Sequence, residues 1–268
     1  MHLTQPLSVL LVLIEVAVTA PLAAATPKLL ICSDSTTANY AVGNALQGWG
    51  YYIGEYLSIS VDNLAINGRS TRSFINEGHW SALLDSAAAS DFVIIEMGHN
   101  DDGDPTTDTD DRATLPGIGN DTVVVTNSTG QQETVETFGW YLRTMIADVR
   151  AKDAVPIISG MVNRNYWTGE TLQADWPFAD YAQQVAEQTA AQWVDHTAYS
   201  VEEWQSFGSV EAKTYYPNDN THTNWDGARI NAETFVQAVK YHCGGDSPLK
   251  AYLNSNGTAV SEPGALAC

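Results

Sequence analysis

The sequence predicts an α/β protein, a three-layer α/β/α sandwich around a central parallel sheet. Short apolar runs bounded by turn residues recur along the chain, and segments with apolar residues at helical spacing lie between them. The runs read as strands buried on both faces, as a parallel sheet requires. Strand and helix in alternation favour that sheet, because two parallel strands must be joined by a long crossover.

Residues 28–32, 61–66, 92–97 and 155–159, with a shorter run at 192–195, are the expected strands. Trp140, Leu142, Met145, Ile146 and Val149 mark one helix, and Phe178, Tyr181, Ala182, Val185, Ala186, Thr189 and Trp193 a second. A third stripe uses Ala228, Phe235, Ala238 and Val239. Residues 101–137 break the rhythm. Rich in Asp, Thr, Gly and Asn, with only 122–126 strand-like, they are expected to form a long acidic insertion beside a crevice. Asp102, Asp104, Asp108, Asp110 and Asp111 are the kind of oxygen donors that calcium takes, but their spacing does not match an EF-hand and lacks its bidentate Glu. A solvated acidic loop is expected instead. No internal repeat is visible in the sequence, and no second domain is expected.

Residues 7–18 are almost entirely apolar but too short to span a bilayer, and Ala23, Ala24 and Ala25 offer the small residues of a cleavage site. Residues 1–25 are therefore expected to be a secretory signal peptide, although the first residues carry His2 and no Lys or Arg, and Glu15 interrupts the apolar run. Residues 26–268 would then form a single domain, secreted and extracellular. A formal net charge of −20 makes nucleic acid an improbable partner. No membrane partner is expected, and the protein should act as a monomer. Of three cysteines, Cys32 lies in an apolar run and reads as a small buried hydrophobe, whereas Cys243 and Cys268 flank a Gly-, Ser- and Pro-bearing tail that a disulfide would tie down. Asn120, Asn127 and Asn256 head N-glycosylation sequons.

Four blocks carry the chemistry. Ser33-Asp34-Ser35-Thr36-Thr37 follows the first strand, Asn67-Gly68-Arg69 the second, and Gly98-His99-Asn100-Asp101 the third, while Asp219-Asn220-Thr221-His222 precedes the last helix. Strand ends are where a parallel sheet presents residues to a ligand crevice. A serine hydroxyl needs a base to act as a nucleophile, and His222 supplies one. Asp219, three residues earlier, is placed to accept the hydrogen of one imidazole nitrogen and fix its tautomer. The Ser35 N–H, the Gly68 N–H and the Asn100 amide could converge on an oxyanion. Taken singly, Ser35 could be a helix cap, Gly68 a turn residue, Asn100 a loop closer and residues 217–220 a surface turn.

The quartet resembles the SGNH or GDSL hydrolase superfamily over nearly all of residues 26–268, and more narrowly the fungal rhamnogalacturonan acetylesterases. That resemblance implies a flavodoxin-like fold, Ser35 as nucleophile, His222 as base, Asp219 as its orienter, and Ser35, Gly68 and Asn100 as the oxyanion hole. It also implies pairing of Cys243 with Cys268. The usual Gly before the Asp-Ser pair is Ser33 here, and the acidic insertion diverges.

The resulting expectation is a carbohydrate O-acetylesterase acting through an acetyl-enzyme on an acetylated plant cell-wall polysaccharide, the rhamnogalacturonan of pectin. An acetylxylan or other small-acyl esterase is one alternative, and a non-catalytic carbohydrate-binding protein another. No cofactor is expected, and the six His lack a zinc-ligand spacing. Trp49, Tyr51, Tyr52, Trp167 and Trp176 are candidates to stack on sugars. Arg69, Arg72 and Arg164, near strand ends, are candidates to bind a galacturonate carboxylate. Asp195 and His196 imitate a catalytic pair but, adjacent on an extended chain, would point to opposite faces. His99 reads as a packing residue and His79 as a surface one.

Overall fold

The computed structural model describes residues 25–174, 176–241, 247–262 and 266. Five parallel strands form the sheet: β1 (Leu29–Ser33), β2 (Val61–Asn63), β3 (Phe92–Glu96), β6 (Val155–Ser159) and β9 (Gln192–Val194), in the order β2-β1-β3-β6-β9. Two antiparallel hairpins lie outside this sheet, β4 (Thr122–Thr126) with β5 (Gln132–Glu136), and β7 (Trp167–Thr168) with β8 (Thr171–Leu172). After β2 the chain crosses to the far side of β1 to make β3. The order therefore reverses at β1 and β3, and a crevice opens beyond their carboxyl ends.

The alternation of side chains in β1 divides the core. Leu29 and Ile31 join Phe92, Ile94 and Ile157 on one face, covered by α6 (Trp225–Tyr241) through Ala228, Phe235, Ala238 and Val239. Leu30 and Cys32 join Val93, Ile95 and Ile158 on the other, covered by α2 (His79–Ser86), α3 (Phe138–Ala151) and α4 (Pro177–Thr189). Both faces of β1 and β3 are thus buried, as expected of their apolar runs. The edge strands differ: β2 is only half-buried throughout, and β9 exposes Gln192. Trp193 lies in β9 and not on the helix stripe, because α4 ends at Ala190, whose φ of 50° turns the chain.

Helices α1 (Thr71–Asn76) and α5 (His196–Ala212) were not marked by apolar spacing. The first is six residues long and held by a capping box between Ser70 and Ser73. The second is started by Asp195, whose side chain accepts from the Ala198 N–H, and is interrupted at Gly208. Asp195 and His196 are thus a helix cap and a first helical residue, not neighbours on an extended strand. His196 is buried, with Nδ1 2.9 Å from Glu96 Oε2 and Nε2 2.9 Å from the Asn231 carbonyl and 3.0 Å from the Thr234 hydroxyl. Glu96 also accepts from Trp49 Nε1 at 3.0 Å and Ser159 Oγ at 2.7 Å, so this buried carboxylate is fully engaged.

The acidic segment is more ordered than its composition suggests. Strand β4 pairs with β5, a polar stretch whose strand character comes from that hairpin. Arg72, wholly buried, reaches from α1 to grip Glu133 of β5 through Nε and Nη2, both at 2.7 Å, and the Ala113 carbonyl at 3.0 Å. Asn120 is exposed, and Asn127 turns its Oδ1 inward to accept from Thr129 and Gln131. Asn256, also exposed, donates to the Glu55 carbonyl. Cys32 is buried in the apolar layer, whereas Cys243 and Cys268 lie outside the described residues. No helix among the described residues is long and apolar enough to cross a membrane.

Candidate active site

Strand β1 ends at Ser33, and Asp34 bends the chain. Its Oδ1 accepts from the Thr36 N–H at 2.9 Å and the Thr36 hydroxyl at 2.8 Å, closing a tight turn that leaves Ser35 at its apex. Burial alone would raise the Asp34 pKa. The facing His99 and the Thr36 donors outweigh it, so the carboxylate is held below its ordinary range. Ser33, in place of the small residue the motif usually has, fits without crowding. Its hydroxyl donates to the Glu96 carbonyl at 2.6 Å and lies 2.7 Å from the Thr37 hydroxyl.

The Asp219 carboxylate divides its work. Oδ1 accepts from the N–H groups of Thr221 at 2.6 Å and His222 at 2.8 Å, shaping the loop, while Oδ2 accepts from His222 Nδ1 at 2.7 Å. A carboxylate on Nδ1 assigns the hydrogen to that nitrogen and leaves Nε2 as an acceptor. The Ser35 hydroxyl supplies the donor, 2.8 Å away. Partial burial would raise the Asp219 pKa, but the His222 and Thr221 donors together hold it below its ordinary range. The loop is pinned from both sides. The Asn165 N–H donates to the Asn220 carbonyl at 2.7 Å, and the Gln47 N–H to the Thr223 carbonyl at 3.0 Å.

Gly98 and Gly68 let the other strand ends close in. Gly98 has φ of 144°, and a Cβ there would fall 2.7 Å from the Met161 sulfur. This sharp exit from β3 brings Asn100 between the first two blocks, where Nδ2 lies 3.4 Å from Asp34 Oδ2 and 3.3 Å from the Arg69 carbonyl. Both bonds are long, so the amide is lightly held. Gly68 has φ of 71°. Neither its N–H nor that of Ser35 has an acceptor among the described residues. The ends of β1, β2 and β3 thus present three donors, the Ser35 and Gly68 N–H groups and the Asn100 amide, without strong partners of their own among the described residues. Such an arrangement can carry out acyl transfer: a hydroxyl, a base with its tautomer fixed, and donors for a developing oxyanion.

The three arginines expected to read a carboxylate fare differently. Arg72 cannot do so: its guanidinium is 0 % exposed and saturated by Glu133 and Ala113, with Asp111 3.5 Å away. Arg69 lies beside Gly68 but is committed to Glu77 at 2.6 Å and to the Asn67 carbonyl. Arg164 sits over the Trp176 ring at 4.9 Å and donates to the His99 carbonyl, bridging the third block to the loop after β6. Of the aromatic candidates, Trp49 and Tyr52 are core residues, while Tyr51, Trp167 and Trp176 keep some exposure. His99 is buried and packs against the site, its Nε2 donating to the Val162 carbonyl at 2.8 Å. His79 is partly exposed beside Glu77.

Sequence reasoning passed over Asp101 and Arg112. Asp101 accepts from both the N–H and the hydroxyl of Thr71, yet its Oδ2 is buried without a partner. Burial, with Asp34 nearby, pushes it up to about 7 despite the Thr71 donors. Arg112 lies against Gly68, with its guanidinium carbon 3.3 Å from where a Cβ would stand. As the single cation among residues 101–137 it was a readable signal.

The model of the GDSL-like Lipase/Acylhydrolase family matches residues 34–230, which spans all four blocks except Ser33. The rhamnogalacturonan acetylesterase of Emericella nidulans is 36% identical over 210 residues, covering 78% of this chain and 83% of that protein. The rhamnogalacturonan acetylesterase RhgT of Bacillus subtilis is 24% identical over 247 residues, covering 85% and 94%. The crystal structure of Bacillus subtilis YxiM superposes with a TM-score of 0.65 at 24% identity, over 80% of this chain and 56% of that one, a likeness of fold. With its parallel sheet, its strand-end site and this match, the chain belongs to the GDSL-like lipase/acylhydrolase family and is an esterase.

Proposed function

We propose that the protein is a secreted serine esterase that removes acetyl groups from the rhamnogalacturonan of pectin. The observation that carries the chemistry is the relay from Asp219 through His222 to Ser35, at 2.7 and 2.8 Å. The substrate follows from the names of two relatives, and secretion from the apolar run at 7–18 with Ala23, Ala24 and Ala25 behind it.

In the first half-reaction Ser35 Oγ attacks the acetyl carbonyl carbon as its proton passes to His222 Nε2. The carbonyl electrons move onto oxygen, which the Ser35 and Gly68 N–H groups and the Asn100 amide receive. Collapse of this intermediate breaks the bond to the sugar oxygen, which takes the proton from His222 and leaves as a hydroxyl. Water then attacks the acetyl-enzyme, giving its proton to His222, and acetate departs as the proton returns to Ser35. Asp219 stays ionised throughout and stabilises the imidazolium.

A second reading, deacetylation of xylan, is favoured by one observation: a net charge of −20 should repel a polyuronate and tolerate a neutral chain. Acetate release from acetylated rhamnogalacturonan, homogalacturonan and xylan decides between them. The proposal expects the first to be hydrolysed fastest, and faster turnover of xylan overturns it.

A further inference from the structure

An acidic enzyme acting on an acidic polymer needs a local cation, and the arginine that the fold offers for this comes from the acidic insertion. Around the point where a Cβ at Gly68 would stand, the three nearest atoms all belong to the Arg112 guanidinium: Cζ at 3.3 Å, Nη2 at 3.4 Å and Nη1 at 3.5 Å. Near-equal distances mean that the planar group lies face-on over the glycine. Even a Cβ at 68 would press on it by a few tenths of an ångström, so the glycine gives the guanidinium its close approach as well as providing the turn at φ 71°.

The backbone that presents Arg112 is firmly held. Asp108 Oδ2 accepts from the N–H groups of Arg112 at 2.5 Å and Ala113 at 2.6 Å, and buried Arg72 binds the Ala113 carbonyl. Its side chain, by contrast, is loosely engaged. It is 37% exposed, and its ion pair is with Asp110 at 3.5 Å, a residue 62% exposed. An exposed pair at that distance is weak and readily exchanged. Among the described residues the Arg112 guanidinium makes no hydrogen bond, whereas those of Arg69, Arg72 and Arg164 each make at least one.

We infer that Arg112 is the carboxylate-reading residue of this site. Its guanidinium exchanges Asp110 for the carboxylate of a uronic acid residue neighbouring the acetylated sugar, a partner that a planar fork of N–H donors can bind through two parallel hydrogen bonds. Its place over Gly68 sets that uronate beside the oxyanion donors. The inference rests on the rhamnogalacturonan reading above.

The test compares the full-length protein with Arg112→Gln, Arg112→Lys and Arg150→Gln on acetylated rhamnogalacturonan and on the same polymer with its carboxyl groups reduced to alcohols. Arg150 lies in the last turn of α3, which leads into β6, and donates to the carbonyls of Thr189 and Ala190 just before β9, so its variant removes the same charge at the amino ends of the strands, away from the site at their carboxyl ends. In Arg112→Gln the preference in kcat/KM for the acidic polymer over the reduced one should fall about tenfold, through KM and most strongly at low salt. Arg112→Lys should restore part of it, and Arg150→Gln should keep the native preference. An unchanged preference in Arg112→Gln, or an equal loss on both polymers, overturns the inference while the rhamnogalacturonan reading stands. If the native protein does not deacetylate the acidic polymer at all, both fall.

Discussion

The Ser35 hydroxyl and His222 Nε2 meet at 2.8 Å across 187 residues of sequence. Strand β1 delivers the first to the carboxyl edge of the sheet, and the loop before α6, pinned to Gln47 and Asn165, delivers the second. Among the described residues no other hydroxyl bonds His222 Nε2, and the neighbouring Ser33 hydroxyl is turned into the sheet toward Glu96. Ser35→Ala should therefore lower kcat on 4-nitrophenyl acetate by at least about 10⁴-fold without loss of fold. Ser33→Ala should retain turnover and cost about 1–2 kcal/mol of stability through its lost buried hydrogen bonds. Near-native activity in Ser35→Ala would remove the serine from its role.

Asp219→Asn should be damaging, and less so than His222→Ala. An amide can still accept from the Thr221 and His222 N–H groups, but its NH₂ would face Nδ1–H, so the ring loses its favoured tautomer without being deleted. The expected loss in kcat is about 10²–10⁴-fold. Asp219 is 45% exposed, which lets water take over part of its function and places the effect at the lower end. Equal rates for Asp219→Asn and the native enzyme would show that the carboxylate only shapes the loop.

Stability should fall as pH rises from about 4 to about 7 through Asp101. Its folded-state pKa of about 7 lies above the ordinary value of 3.8, so between the two the folded chain holds a proton that the unfolded chain has released. The contribution is complete below pH 4, is lost by about 7, and has a slope of at most about 1.4 kcal/mol per pH unit. Glu203, raised by burial and by Glu233, adds in the same direction. Asp34 and Asp219, held low, act in the opposite sense and only below about pH 4. Asp101→Asn, which cannot ionise, should flatten most of this dependence. Urea midpoints measured across pH 4.5 to 8 test it, and an unaltered slope in the variant would assign the effect elsewhere.

Breaking the buried pair of Glu96 and His196 should unbalance the core without touching the chemistry. His196→Ala leaves the buried carboxylate with Trp49 and Ser159 as its side-chain donors among the described residues, and about 3–5 kcal/mol of stability should be lost. Denaturant unfolding reads the loss directly. A change below about 1 kcal/mol would mean that water or another donor replaces the imidazole.

The four blocks of the candidate site were legible because each is local. A strand followed by Asp-Ser, by Asn-Gly or by Gly-His-Asn places its residues through backbone geometry a few residues long, and the spacing from Asp219 to His222 lets one carboxylate cap the loop and orient the ring. The apolar runs of β1, β3 and β6 were legible for a similar reason, since burial on both faces leaves no room for polar side chains. Strand β5, with the residues Gln-Glu-Thr-Val-Glu, carried no such mark and is a strand through its hairpin partner. Helix α5, broken at Gly208, carried little helical periodicity.

Arginine roles were decided by tertiary structure alone. Arg69, Arg72, Arg112 and Arg164 are chemically alike in sequence, and what separates them is which acceptor the fold brings within 3 Å: Glu77 for the first, Glu133 of a hairpin 61 residues away for the second, the His99 carbonyl for the fourth, and none among the described residues for Arg112. A guanidinium on a long side chain samples a wide volume, so its partner depends on charges that come together only when distant segments pack. The amino-acid sequence by itself determined the sheet, the turn that carries Ser35 and the loop that carries His222, each from short-range pattern. Which cations stay available to a substrate depended on long-range ion pairs, and these exist only in the folded chain.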